Sequence, residues 1–256
     1  MILCIDIGNT ATGIGLVEDL NVIASWSLRT TESTRDDYFL KLSSLLKAGG
    51  FSASRIVSSG MCSVVPSETE NARAAVEDLT GSEVVLVDGS CECGVAIKVD
   101  NPREVGGDRI ANAAGAFHCY GGPVIVVDMG TATTFDYVSA EGEYRGGVIA
   151  PGLMAGAGDL WKLTRMLPEV EIREPGAVIG TNTVACMQSG IYYGALGQIQ
   201  GILEQMWREI GSRTRVVLTG GHARLIAGKL GFETDYDPHL TLKGIASIVG
   251  RKLGKR

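Results

Sequence analysis

The chain has 256 residues, 45% of them hydrophobic and 20% charged, with a formal net charge of −6. It is long enough for two lobes with cores of their own, and the acidic balance, with no basic helix or aromatic-interleaved stripe, excludes a broad nucleic-acid footprint. No apolar run approaches the roughly 18 residues of a membrane span, and Met1 leads directly into a strand. The chain therefore reads as cytoplasmic, without transmembrane helix or signal peptide.

The first segment, ILCIDIGNTATGIGLV, begins with an apolar run, Ile2–Asp6, that reads as a buried strand. A turn of Gly8, Asn9, Thr10 and Ala11 leads to a second strand, Gly13–Val17, a polar turn, Glu18–Asn21, and a third strand. Thr30–Ser33 is a polar break able to cap the helix Asp36–Leu46, which Gly49-Gly50 ends. Arg55–Gly60 reads as a short strand and glycine turn, Pro66–Leu79 as a helix and Glu83–Val87 as a strand. The order β-β-β-α-β-α-β describes a mixed sheet with helices.

In Asp100–Asn112 (DNPREVGGDRIAN), Gly106-Gly107 makes a flexible turn and Asp108-Arg109 opens the helix Ile110–Tyr120. On the residues alone, Asp108 reads as a helix cap with a local ion pair to Arg109. The six cysteines (Cys4, Cys62, Cys91, Cys93, Cys119, Cys186) are scattered, and Cys91-x-Cys93 lacks zinc-ribbon spacing. They read as reduced, mostly buried thiols. With three histidines and none at ligand spacing from a cysteine, no structural metal site is expected.

Val124–Thr134 (VIVVDMGTATT) repeats the opening pattern: four β-branched residues, then Asp128, Gly130 and Thr131. Such a turn, rich in amides and hydroxyls beside a carboxylate, suits nucleotide phosphates and a cation, and equally forms an ordinary Asx turn. Placing Asp6 on Asp128 aligns Gly8 with Gly130 and one hairpin meander with the other. One unit present twice suggests two similar lobes facing each other across a cleft. Gly146–Gly152 then turns into a helix, Leu153–Leu167, with only small side chains at Ala155, Gly156, Ala157 and Gly158, and Glu169–Gly176 is a polar loop. Thr181, Asn182 and Thr183 precede a helix to about Ile210 rich in small residues (Ala195, Gly197, Gly201), reading as an N-cap and a close-packed helix. Arg215–Leu218 is a strand, and Thr219, Gly220 and Gly221 lead to a helix beginning near His222, which suits an anion or a planar ring. After Asp237–Gly244 come a short helix and a basic tail, Arg251–Arg256; His222 and His239 read as surface or packing residues.

Asp-x-Gly-Asn-Thr, Asp-x-Gly-Thr-Ala and Thr-Gly-Gly in this order resemble the two phosphate motifs and the adenosine motif of the superfamily of acetate and sugar kinases, heat-shock ATPases and actin. With NPREVGGDR between the first two, the chain resembles type III pantothenate kinases from Ile2 to about Ile248. The resemblance implies an α/β fold of two RNase H-like lobes, 1–120 and 121–256, a duplicated mixed-sheet actin-like ATPase fold around a central cleft. It implies ATP-dependent phosphorylation of pantothenate to 4'-phosphopantothenate, the first step of coenzyme A biosynthesis, in a homodimer with shared sites.

By the same resemblance, Asp6, Ile7, Gly8, Asn9, Thr10, Ala11, Thr12 and Gly13 wrap the β- and γ-phosphates, and Asp6 positions Mg²⁺ through water. Asp128 holds a monovalent cation, K⁺ or NH₄⁺; Thr131 touches the phosphates; Thr219, Gly220 and Gly221 lie near the nucleoside. Gly106, Gly107, Asp108 and Arg109 bind pantothenate with Asp108 as general base, a role that suits a carboxylate facing a weakly nucleophilic hydroxyl. Thr183 reaches pantothenate from the neighbouring subunit. No G-x-x-x-x-G-K-[ST] run is present, so charge neutralisation falls to cations and loop amides. Two positions depart from the family pattern: Val99 stands where an aromatic residue is frequent, and Gly156 where serine is usual. The alternative reading is a non-catalytic regulatory protein of the same family, whose mark would be loss of Asp6, Asp108 or Asp128; all three are present.

Overall fold

A computed structural model describes residues 1–163 and 167–254. The strands are β1 (Ile2–Ile7), β2 (Ala11–Glu18), β3 (Asn21–Arg29), β4 (Ser58–Ser63), β5 (Val84–Leu86), β6 (Ala96–Ile97), β7 (Val124–Met129), β8 (Ala132–Val138), β9 (Glu143–Pro151), β10 (Arg215–Thr219) and β11 (Asp235–Tyr236). The helices are α1 (Arg35–Ala48), α2 (Pro66–Thr80), α3 (Gly107–Tyr120), α4 (Leu153–Leu163), α5 (Thr183–Ile210) and α6 (Leu240–Gly254). Two compact units result: Met1–Gly122 with Val138–Gly146 and His239–Arg256, and Pro123–Tyr137 with Gly147–Pro238.

The first unit is built on a sheet of order β3-β2-β1-β4-β5. β1 pairs antiparallel with β2 and parallel with β4, so the sheet is mixed. Side chains alternate across it. Leu3, Ile5 and Ile7 point to one face, where with Ile14 and Leu16 they meet Tyr38, Leu42 and Leu46 of α1 and Ala72, Ala75 and Val76 of α2. α1 starts on a capping box: the Asp37 amide donates to the Thr34 hydroxyl, and the Thr34 amide donates to the Asp37 carboxylate. Glu68 of α2, although buried, accepts from the Ser33 amide and the Tyr38 hydroxyl at 3.1 and 3.0 Å, fixing α1 against α2. The opposite face carries Cys4 and Asp6 and is covered by α6. Gly15 and Gly60 leave room there for Leu242, Ile245 and Val249; a Cβ on Gly60 would lie 2.5 Å from Val249 Cγ2. α6 also crosses α3 closely: a Cβ on Gly115 would stand 3.0 Å from the Gly244 Cα.

In the second sheet the order is β11-β10-β7-β8-β9-β6. Read from β9 to β11 it repeats the first: β9-β8-β7-β10-β11 matches β3-β2-β1-β4-β5, with β10 parallel to β7 as β4 is to β1. The duplication seen in the sequence is thus a duplication of topology. Ile125, Val127, Met129 and Phe135 pack with Tyr192, Leu196, Ile199, Leu203 and Trp207 of α5, in the core of the second unit.

Several boundaries differ from the sequence reading. β4 begins at Ser58 rather than Arg55, because the pairing Ile2↔Ser58 sets its register and Ala53–Arg55 forms a 3-10 turn. β6 was not anticipated; its two residues borrow their bonds from β9 at Glu143 and Tyr144. The helix expected over 153–167 is described to Leu163, and residues 164–166 lie outside the described residues. α6 is a full helix from Leu240 and takes in the start of the basic tail, whose last two residues also lie outside. No helix among the described residues is long and apolar enough to cross a membrane.

Candidate active site

Asp6 stands at the end of β1, just before a tight turn in which the Gly8 amide donates to the Ala11 carbonyl at 3.0 Å. Asn9, Thr10 and Ala11 at the tip are exposed. Thr30, which the sequence reading passed over as part of a polar break, braces this turn. Its hydroxyl donates to the Gly8 carbonyl at 2.7 Å and its amide to the Thr10 carbonyl at 3.0 Å. Having given its one proton to Gly8, the Thr30 hydroxyl accepts from Thr12 at 2.9 Å.

On the neighbouring strand Cys62 is the register partner of Asp6, and its thiol donates to Asp6 Oδ1 at 3.2 Å. Burial, and then the Asp6 and Asp108 carboxylates, push this thiol well above its ordinary pKa, so it stays protonated. Asp108 is therefore close enough to share one electrostatic environment with Asp6.

Asp108 lies in the first turn of α3, half-buried, but it is not the cap. The N-cap is Gly106, without a side-chain cap bond, and Asp108 Oδ1 accepts from the Arg109 amide at 2.8 Å. The expected cap at Asp108 is thus replaced by a bond from the Arg109 amide, and the Arg109 guanidinium lies 6.0 Å from the Tyr144 ring centroid. Gly107 admits no side chain: a Cβ there would overlap the Val87 carbonyl oxygen and stand 3.0 Å from Cys62 Cβ. Val99, the position that departs from the aromatic pattern, sits within van der Waals reach of Gly146.

In the second unit, Asp128 occupies the place in β7 that Asp6 has in β1, and the Gly130 amide donates to the Ala132 carbonyl at 3.0 Å. This turn closes one residue sooner than the Gly8–Ala11 turn and exposes Thr131 at its tip. Thr219 of β10 is paired in register with Asp128. Gly220, at φ +92°, then packs against it so closely that a Cβ would overlap Asp128 Oδ1 and lie 2.6 Å from the Met129 nitrogen. The His222 amide donates to the Met129 carbonyl at 3.1 Å. Asp128, Thr219 and Gly220 thus form one cluster.

The helix expected after Thr-Gly-Gly is only a 3-10 turn, Ala223–Leu225; Gly228 and Gly231 follow at positive φ, which breaks any longer helix. The segment therefore offers turn amides and no helix dipole. Gly152, also missed, closes on the Gly130–Ala132 turn, and a Cβ on it would lie 2.8 Å from the Gly130 carbonyl oxygen. Thr183 is the exposed first residue of α5, behind an N-cap, Asn182, whose Oδ1 accepts from the Ala185 amide at 2.9 Å.

No cluster of three or more His, Cys, Asp or Glu able to hold a metal occurs among the described residues. That is compatible with Mg²⁺, which is held by one or two carboxylates together with substrate phosphates and waters, and the oxygen donors of Asp6 fit it.

Two sheets of one topology, each with an Asp-x-Gly hairpin turn behind its first strand, define an actin-like ATPase fold. The activator of the 2-hydroxyisocaproyl-CoA dehydratase from Clostridium difficile, solved with ADPNP, matches at TM-score 0.59 and 14% identity over 99% of this chain and 96% of its own. A Campylobacter jejuni protein provisionally named a Baf family transcriptional activator matches at TM-score 0.62 and 17% identity, covering 98% and 99%. Both likenesses concern the fold alone. The model of the type III pantothenate kinase family matches residues 2–205, and the chain belongs to that family. The type III pantothenate kinase of Solibacter usitatus is 40% identical to it over 249 residues, 97% of this chain and 95% of the relative.

Proposed function

We infer that the protein phosphorylates pantothenate at its primary hydroxyl with ATP, giving 4'-phosphopantothenate in the first step of coenzyme A biosynthesis. Family membership over most of the chain carries this reading, and the three aspartates it calls for, Asp6, Asp108 and Asp128, are present in the sequence. In this proposal the residues 6–13 wrap the β- and γ-phosphates, with Thr30 keeping their amides in place. Asp6 positions Mg²⁺, Asp128 a monovalent cation, Thr131 the phosphates, and Thr219, Gly220 and Gly221 the nucleoside. The metal, when bound, neutralises charge developing on the transferring phosphoryl group. Gly106 and Gly107 belong to the pantothenate-binding segment at the start of α3, Arg109 pairs with the pantothenate carboxylate, and Asp108 takes the proton of the attacking hydroxyl. The reaction takes place in the cytoplasm.

We also propose a homodimer assembled through α5, with Thr183 completing the partner's pantothenate site. Along α5, Gly190, Gly194, Gly197 and Gly201 have open space where a side chain would be, and a groove between Val148 and Gln205 runs beside the last two. Small residues of this kind let a second backbone come close. The lobes of the duplication correspond in this reading to 1–120 and 121–256, with α6 returning to the first.

A coupled ADP-release assay with pantothenate, ATP and Mg²⁺, with and without K⁺, tests the reading. Wild type is expected to turn over only with pantothenate and faster with K⁺. Asp108→Asn is expected to lose about 10²- to 10⁴-fold in kcat, the range typical of a general base, with its circular dichroism unchanged. Pantothenate-dependent turnover unaffected by Asp108→Asn would remove the base from that residue; no turnover in folded wild type would remove the function.

A further inference from the structure

Within the first unit Cys62 touches both Asp6 and the start of α3. It is 1% exposed and sits on β4 beside Asp6, on the same face of the sheet, in the same rung of the parallel β1–β4 ladder. Its thiol bonds to Asp6 Oδ1 at 3.2 Å, while its Cβ is the surface against which Gly107 of α3 is laid. The Val87 carbonyl crowds the same side of Gly107, so the first turn of α3 rests directly on this surface and cannot come nearer to it. The size of residue 62 therefore sets where α3 begins, one residue before Asp108, and its donor sets how Asp6 is turned.

We propose that Cys62 is a positioning residue of the metal–nucleotide site, its neutral thiol orienting the Asp6 carboxylate while its bulk seats the first turn of α3. The proposal rests on the kinase reading given above. A neutral donor suits this place better than lysine or arginine, whose charge would compete with the cation that Asp6 is to hold. A thiol elsewhere in a core is a small apolar filler; here the carboxylate at hydrogen-bond distance gives the sulfur a second task.

The test uses the full chain as wild type, Cys62→Ala, Cys62→Ser and Cys62→Val. Calorimetry measures binding of a non-hydrolysable ATP analogue with Mg²⁺ and without metal, and thermal midpoints are recorded alongside. Loss of one hydrogen bond from a weak thiol donor is expected to weaken Mg²⁺-dependent nucleotide binding about five- to tenfold in Cys62→Ala, with metal-free binding unchanged. Cys62→Ser, which keeps a donor, is expected to recover most of that loss, whereas Cys62→Val, which keeps bulk without a donor, is not. If Cys62→Ala does not fold, the Ser and Val variants give the same comparison. Equal Mg²⁺-dependent binding in Ser and Val variants, or wild-type binding in Cys62→Ala, would overturn the proposal and leave Cys62 a packing residue. A wild type that binds no Mg²⁺–nucleotide would overturn the kinase reading itself and this proposal with it, a failure told apart because it precedes any substitution.

Discussion

Replacing Gly244 with alanine puts a methyl group into the tightest point of the α3–α6 crossing. The added carbon would overlap the Ala111 carbonyl oxygen and stand 2.5 Å from the Ala111 carbonyl carbon. Carbons rest at about 3.5 Å or more, so the helices must part by about 1 Å at a point where both partners are backbone. Overpacking of this kind costs about 3 kcal/mol at the upper end of its usual range, and alanine returns about 0.5–1 kcal/mol through helix propensity. The net loss is about 2 kcal/mol, or about 4–8 °C in melting temperature for a chain of this length. Gly250 lies in the same helix with nothing within 4 Å of its missing side chain. Gly250→Ala therefore receives the propensity gain alone and is expected to stabilise by about 0.5–1 kcal/mol. Urea denaturation followed by circular dichroism measures both. A Gly244→Ala protein as stable as wild type, or two variants that shift in the same direction, would refute the packing argument.

Gly220→Ala combines an unfavourable positive φ with overlap on Asp128 Oδ1, so nucleotide affinity is expected to fall by at least about tenfold, equivalent to 1.4 kcal/mol, while the protein stays folded. Equilibrium dialysis with a labelled nucleotide checks it, and unchanged affinity would place the nucleotide elsewhere. Thr34→Ala removes the N-cap of α1 and is expected to cost about 1 kcal/mol at neutral pH. The Thr34 hydroxyl, and then its amide, hold the Asp37 carboxyl below its ordinary range. A depressed pKa gives stability that is present above the unfolded value and lost as pH falls through the folded one, so the gap between wild type and Thr34→Ala is expected to narrow in acid. Denaturation series at neutral pH and below the carboxylate range measure that gap; one that widened in acid would contradict the cap.

What was legible in the chain is what repeats locally. Apolar runs ending in Asp-x-Gly announced β1 and β7, and the shared meander announced one topology used twice. Pro66 stood at the start of α2, and Gly49-Gly50 marked the end of α1, where Gly50 takes the positive φ that its lack of a side chain allows. Features fixed by a partner strand were not legible. The start of β4 depends on Ile2, and β6 exists only because β9 offers it bonds. The strand and Thr219-Gly220-Gly221 turn led to the expectation of a helix from near His222, but Gly228 and Gly231 at positive φ leave only a 3-10 turn. Cys62 and Thr30 gained their places near the turn through partners 56 and 22 residues away, a relation that no window along the sequence contains.

The return of α6 to the first unit ties the beginning of the chain to its end. During synthesis the strands β1 to β5 and helices α1 to α3 emerge first, yet the sheet face carrying Gly15 and Gly60 stays uncovered until residues after His239 have been made. Everything from Pro123 to Tyr137 and from Gly147 to Pro238 is translated in the meantime and builds the other unit. The half that is made first is therefore finished last, and its closure spans one of the longest sequence separations available to this polypeptide, a topology that slows folding and prolongs exposure of apolar surface to chaperones and neighbouring nascent chains.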